Sequence, residues 1–163
     1  MVAIILMMTL LSAFSPAETQ GGSNWRTFKG AWFEIRYPST FKATPSLRSS
    51  SASGYDSVFV TAPDDSVEFY VFSPQWNGDP RDIELKPSEV LVSNTVERKG
   101  SLTIRRVAMR ARNNSYYRAF EDTEDSATNT RKVFGIKYRN QASYNQYRQI
   151  YLTFKQSLRQ FAD

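Results

Sequence analysis

The sequence predicts an α+β domain in which a curled, mostly antiparallel sheet of about seven strands carries one long C-terminal helix packed across it. Three observations point there. Short runs of Val, Ile, Phe and Tyr, several of them alternating with polar residues, recur between Trp32 and Tyr138 with turn residues between them. From Tyr144 onward the apolar residues switch to helical spacing. A chain of 163 residues with 40% hydrophobic content suits one core rather than two.

The chain opens on Val2 to Phe14, nearly all apolar, followed by the small residues Ser15 and Ala17 at the spacing a signal peptidase takes. Residues 1–17 are therefore expected to be a signal peptide cut after Ala17, the run being shorter than the roughly 20 residues a spanning helix requires. No Lys or Arg precedes it, which a start upstream of Met1 would explain. Residues 18–31 form a linker and lead-in segment, and 32–163 the single globular domain.

Trp32 to Tyr37 alternates, with Phe33, Ile35 and Tyr37 on one face, and reads as a half-buried strand ended by Pro38. Thr44 to Ser53, rich in Ser, reads as a surface loop. Tyr55 to Thr61 and Ser66 to Ser73 are apolar on both faces around Ala62-Pro63-Asp64-Asp65, as expected of a central hairpin. Pro74 to Pro87 is a long loop holding Trp76 and Asn77-Gly78.

A meander follows: a strand to Arg98, a turn at Lys99-Gly100, a strand from Leu102 to Arg112, a turn at Asn113-Asn114 and a strand from Ser115 to Asp122. In the long strand the apolar parity slips between Ile104 and Val107, which predicts a bulge at Arg105-Arg106. After an acidic loop, Glu121 to Asn129, the strand Lys132 to Tyr138 turns Phe134, Ile136 and Tyr138 inward. Tyr144, Tyr147, Tyr151, Phe154, Leu158 and Phe161 then fall at steps of 3, 4, 3, 4 and 3, a helical stripe opened by a capping box at Ser143 and Gln146. A sheet of about seven strands is about 30 Å wide and a helix about 10 Å across. A curl, loop cover or an open face must make up the difference.

Trp32-Phe33-Glu34-Ile35-Arg36-Tyr37-Pro38-Ser39-Thr40-Phe41 resembles the opening of PsbP-like and Mog1-like domains, and Tyr144 to Phe161 resembles their closing helix. That resemblance implies an antiparallel sheet with helical cover and a non-enzymatic role in assembly or binding, and it transfers no functional residue. Lys29-Gly30-Ala31-Trp32-Phe33-Glu34-Ile35 also resembles the first lipocalin signature, which implies a secreted carrier of a small apolar ligand in a dry central cavity. The rest of that pattern is missing: there is no Thr-Asp-Tyr segment and no strand after the final helix.

Function classes narrow by composition. With no His and no Cys the chain offers no thiolate nucleophile, imidazole base, haem or iron-sulfur ligand set, or ordinary zinc site. Motifs for nucleotide phosphates and for an activated serine are missing too. Glu34 and Glu68 read as solvated strand residues, and the run Glu121, Asp122, Glu124, Asp125 lacks calcium-loop spacing. The expectation is no enzyme, no catalytic residue, no metal and no cofactor.

The net charge of +5 is unevenly placed: residues 18–97 carry 7 basic and 11 acidic side chains, residues 98–163 carry 14 and 5. Either the halves neutralise each other across strands, or the excess forms a basic face. Arg106, Arg110 and Arg112 would share a strand face, with Tyr117 and Arg118 close by, at a spacing that suits a polyanion. Trp76 would be a separate anchor for sugar or protein. Export disfavours nucleic acid. The sequence thus predicts a secreted or periplasmic, monomeric binding module whose partner is a protein or acidic envelope component.

Overall fold

The computed structural model describes residues 24–161, so the expected signal peptide lies outside the described residues. Among the described residues, two antiparallel sheets and one α-helix build the domain. The larger sheet has seven strands in the order β3-β4-β5-β9-β8-β7-β6. These are β3 (Lys42–Pro45), β4 (Ser57–Thr61), β5 (Val67–Phe72), β6 (Glu89–Lys99), β7 (Leu102–Ala111), β8 (Tyr117–Asp125) and β9 (Thr130–Tyr138). The smaller, β1-β2-β10, joins β1 (Trp25–Lys29), β2 (Phe33–Pro38) and β10 (Arg159–Gln160). Between β9 and β10 lies α1 (Gln141–Gln156).

Each face of the large sheet carries its own core. On one, Val58, Val60, Val67, Phe69, Val71, Phe134 and Ile136 meet Phe33 and Ile35 of β2 and Phe154 of α1. The helical stripe supplies Tyr144, Tyr147, Ile150, Tyr151 and Leu158 to this core, as its spacing predicts. On the other face Tyr70, Phe72, Met109, Phe120 and Val133 pack beneath Leu47 and Ile83 from the long loops. The small sheet and the loops thus extend the cover that one helix cannot give. Beyond Val90 neither covers β6, where Leu91, Val92 and Val96 are about half exposed.

Several expectations are corrected. The lead-in segment contains a strand, β1, paired along β2 from Trp25 opposite Pro38 to Lys29 opposite Glu34. The Ser-rich loop begins as β3, and Glu121 to Asp125 belong to β8 rather than to a loop. No bulge occurs at Arg105-Arg106: β7 pairs without a break from Leu102 opposite Asp125 to Arg110 opposite Tyr117. The register shifts instead on β6, between Leu91 and Ser93. Asn140 caps α1, its Oδ1 accepting from the Ser143 backbone N–H at 2.9 Å. The helix stops at Gln156, and β10 then pairs with β2 through Arg159 opposite Glu34, which leaves Phe161 exposed.

The lipocalin-like carrier also fails on geometry. A closed barrel has no edges, whereas β3 and β6 are open edges here and side chains fill the space on both faces of the sheet.

Candidate functional site

Unbroken pairing of β7 decides which arginines can act together. Residues of even number on β7 face the helix side, so Arg106 and Arg110 share that face, as predicted. Arg106 is spent within the protein. Its Nε donates to Glu121 and its Nη1 to Glu97, each at 3.0 Å, and the Lys155 ammonium donates to the other Glu121 oxygen at 3.0 Å. The Glu97 and Glu121 bonds keep the Arg106 guanidinium charged more firmly than usual. Burial would raise the Glu121 carboxyl, but Lys155 and Arg106 more than offset it and hold it low. Of these pairs Arg106–Glu97 joins the two charge-biased halves of the chain, whereas Glu121 and Lys155 lie with Arg106 in the basic half.

Arg118 is a second correction. Opposite Met109, it projects to the loop-covered face, where it is only 5% exposed and donates to Glu89 at 2.5 Å and to the Glu84 carbonyl at 2.9 Å. It therefore takes no part in a basic surface. Trp76 is exposed, as expected of an anchor, but sits on the 74–80 loop beside the loop-covered face, apart from the arginines.

Arg110 and Tyr117 remain together, with Arg112 just beyond the end of β7. Arg110 lies opposite Tyr117, and Tyr117 opposite Tyr138, so the three form one row across β7, β8 and β9. Tyr117 and Tyr138 stack at 5.6 Å with their planes 15° apart, and Tyr144 of α1 adds a third ring 5.1 Å from Tyr138. Arg110 donates to the Asn114 side chain and Arg112 to the Pro87 carbonyl at 3.0 Å. Among the described residues neither has a carboxylate partner. Burial, with Tyr144 and Tyr117 beside it, pushes the Tyr138 hydroxyl up, so it stays protonated and can donate or accept.

Beside this row runs a groove of about 310 Å³ between α1 and the uncovered part of the sheet. Ala108 and Ala119, opposite each other on β7 and β8, are its shallow floor, and Tyr138, Tyr144 and Tyr151 form its wall. The Arg106–Glu121–Lys155 network closes one end. Guanidinium groups without acids next to flat aromatic surface are suited to bidentate contact with carboxylates and to aromatic anchoring. Tyr138 and Tyr144 escaped sequence reasoning because strand and helix periodicity assigns them to the core, and Ala108 and Ala119 because a lone small residue in a strand carries no signal. Arg110 and Tyr117, on either side of the Asn113-Asn114 turn, were the signal pointing at the row. Among the described residues no group of three or more His, Cys, Asp or Glu is placed to hold a metal, and no helix is long and apolar enough to cross a membrane.

No protein-family model and no curated protein sequence matches the chain. A solved structure does: the solution structure of cyanobacterial PsbP (CyanoP) from Synechocystis sp. PCC 6803 superposes with a TM-score of 0.50 at 8% identity, over 92% of this chain and 100% of that one. The fold is PsbP-like. The likeness supports the PsbP half of the resemblance read from the chain ends and gives none to the Mog1 half. At this identity the PsbP-like fold is shared, and residue roles do not follow from it.

Proposed function

We propose that this PsbP-like chain is an exported, non-enzymatic binding module that docks an acidic protein surface on the Arg110–Tyr117–Tyr138 row and the groove beside it. The observation that carries the reading is that, among the described residues, Arg110 stands without an acid next to stacked tyrosines and Arg112 beyond it has no acid either, while Arg106, Arg118 and Arg131 are each bound to carboxylates. Unspent guanidinium groups confer long-range attraction, and the rings confer contact area at small entropic cost. The PsbP-like fold and the leader-like N-terminus support a place outside the cytoplasm.

Protein purified from its native envelope should begin at Glu18, and it should capture an acidic partner that about 0.5 M salt releases, since screening at that strength shortens electrostatic reach to a few ångströms. The Arg110→Ser, Arg112→Ser double variant should lose capture, and Arg105→Ser, on the opposite face, should keep it. Salt-insensitive capture that survives the double variant would overturn the assignment. Release by soluble polyanionic glycan, with no protein retained, would move it to an acidic envelope polymer.

A further inference from the structure

A second pocket, of about 360 Å³, opens on the other side of the molecule between the 47–56 and 74–81 loops. At its lining lies Asp56, only 8% exposed, whose Oδ1 is buried and accepts no hydrogen bond among the described residues. Burial raises the Asp56 carboxyl above its ordinary range, and a Ser49 hydroxyl bond offsets part of that rise. A buried acceptor without a donor is costly, and a rotation of the Asp56 carboxyl toward the pocket would let a ligand hydroxyl supply the donor. Trp76 lines the same pocket with 43% of its surface exposed.

The loop holding Trp76 is fastened on both sides of the pocket. Asn77 N–H donates to the Asn129 carbonyl at 2.7 Å, and Arg131 donates to the Gly78 carbonyl at 2.7 Å. A Cβ on Gly78 would come within 3.1 Å of the Phe72 ring, so the loop lies flat against the core. Across the pocket the Trp32 indole N–H holds Ser51 at 2.9 Å, and Asp82 accepts from both Ser46 and Ser57 at 2.9 Å. The indole is thus exposed on a pinned loop, and its exposure does not come from slack in the chain. Preorganised walls of this kind reduce the ordering cost of binding.

Charge selects the ligand class. Arg48 and Arg81 line the pocket together with Asp56 and Asp79, two cations against two acids. An organic cation would meet both guanidinium groups, and an anion would meet both carboxylates. A neutral polyol meets neither penalty, because each hydroxyl donates to a carboxylate and accepts from a guanidinium. A sugar ring adds an apolar C–H face that fits an indole, and the cavity volume falls in the range of small-ligand sites. We propose that this pocket binds a neutral carbohydrate, with a sugar ring on Trp76 and a hydroxyl donating to Asp56. This site is independent of the arginine–tyrosine row.

The test titrates the purified chain with chitotriose, cellotriose and maltotriose, reading tryptophan emission and heat of binding. At least one should bind saturably, and Trp76→Ala and Asp56→Asn should each weaken it about tenfold or more. Arg112→Ser, which belongs to the other surface, should bind as the parent does. Trp76 is exposed, so its replacement should leave the thermal midpoint unchanged and separate lost binding from lost folding. No saturable response to any of the three sugars, equal affinity in Trp76→Ala, or tighter binding of glucuronate or spermidine than of every neutral sugar would overturn the proposal.

Discussion

Arg118 and Glu89 meet where neither side chain sees solvent, at 5% and 0% exposure. Burial alone would raise the Glu89 carboxyl, but Arg118, the Lys86 N–H and the Tyr116 hydroxyl more than offset it and hold it below its ordinary range. A carboxyl lowered by folding contributes stability above its unfolded value and loses it as pH falls through the folded one. The urea midpoint should therefore drop as the solution is acidified below about pH 4.3, and less steeply in Glu89→Gln. Arg118→Ala should cost about 3–5 kcal/mol at neutral pH, because it strands a buried charge. A cost below 1 kcal/mol in equilibrium unfolding, on the order of an exposed pair, would mean that the Glu89 site relaxes open. In the sequence Arg118 looks like any member of the basic run. Its burial depends on the 81–84 turn lying over the sheet, a contact between segments 34 residues apart.

At the scale of elements, β9 carries a constraint that the sequence hides. Gly135 lies between Phe120 on β8 and Tyr70 on β5, and a Cβ there would stand 2.5 Å from the Phe120 ring and 3.1 Å from the Tyr70 Cβ. Gly135→Ala should destabilise the domain by about 1–3 kcal/mol by overpacking, read as a fall in thermal midpoint, and Phe120→Leu in the same chain should recover part of it. The strands themselves were legible, since β4, β5 and β9 are Val, Phe and Tyr runs that bury both faces, and the helix was legible because its stripe is long. The bulge was not. Leu102 and Ile104 face one side of an unbroken β7, half-buried, while Val107, Met109 and Ala111 face the loop-covered core on the other. That change of side imitates a slipped register. The true bulge on β6 leaves no trace, since a strand exposed on both faces has no hydrophobic period to interrupt. Arg110 and Tyr117 were legible as neighbours through the Asn113-Asn114 turn, where Asn114 takes the left-handed conformation at φ 58°. The tyrosines that complete the row come from β9 and α1, and only the tertiary fold brings them there.

For the molecule as a whole, the cover is lopsided. Helix, small sheet and long loops enclose β4, β5 and β9 between two cores, whereas β6 forms an edge whose backbone pairs with β7. Its eleven residues run past the cover with Leu91, Val92 and Val96 about half in water, and the register shift beside Val92 interrupts the ladder. Charge at Glu97, Arg98 and Lys99 protects the end of this edge from pairing with another chain. Stability should follow the cover. Amide hydrogen exchange should show β5 and β9 opening only with global unfolding, and β6 through a partial opening that lies lower by on the order of 2 kcal/mol. Arg118→Ala should lower protection in β5 and β9 and also free β6, because Glu89 at the start of β6 is fastened to the sheet through Arg118. Equal protection across all seven strands would instead mean that the β6–β7 ladder transmits the full stability of the cores to the edge.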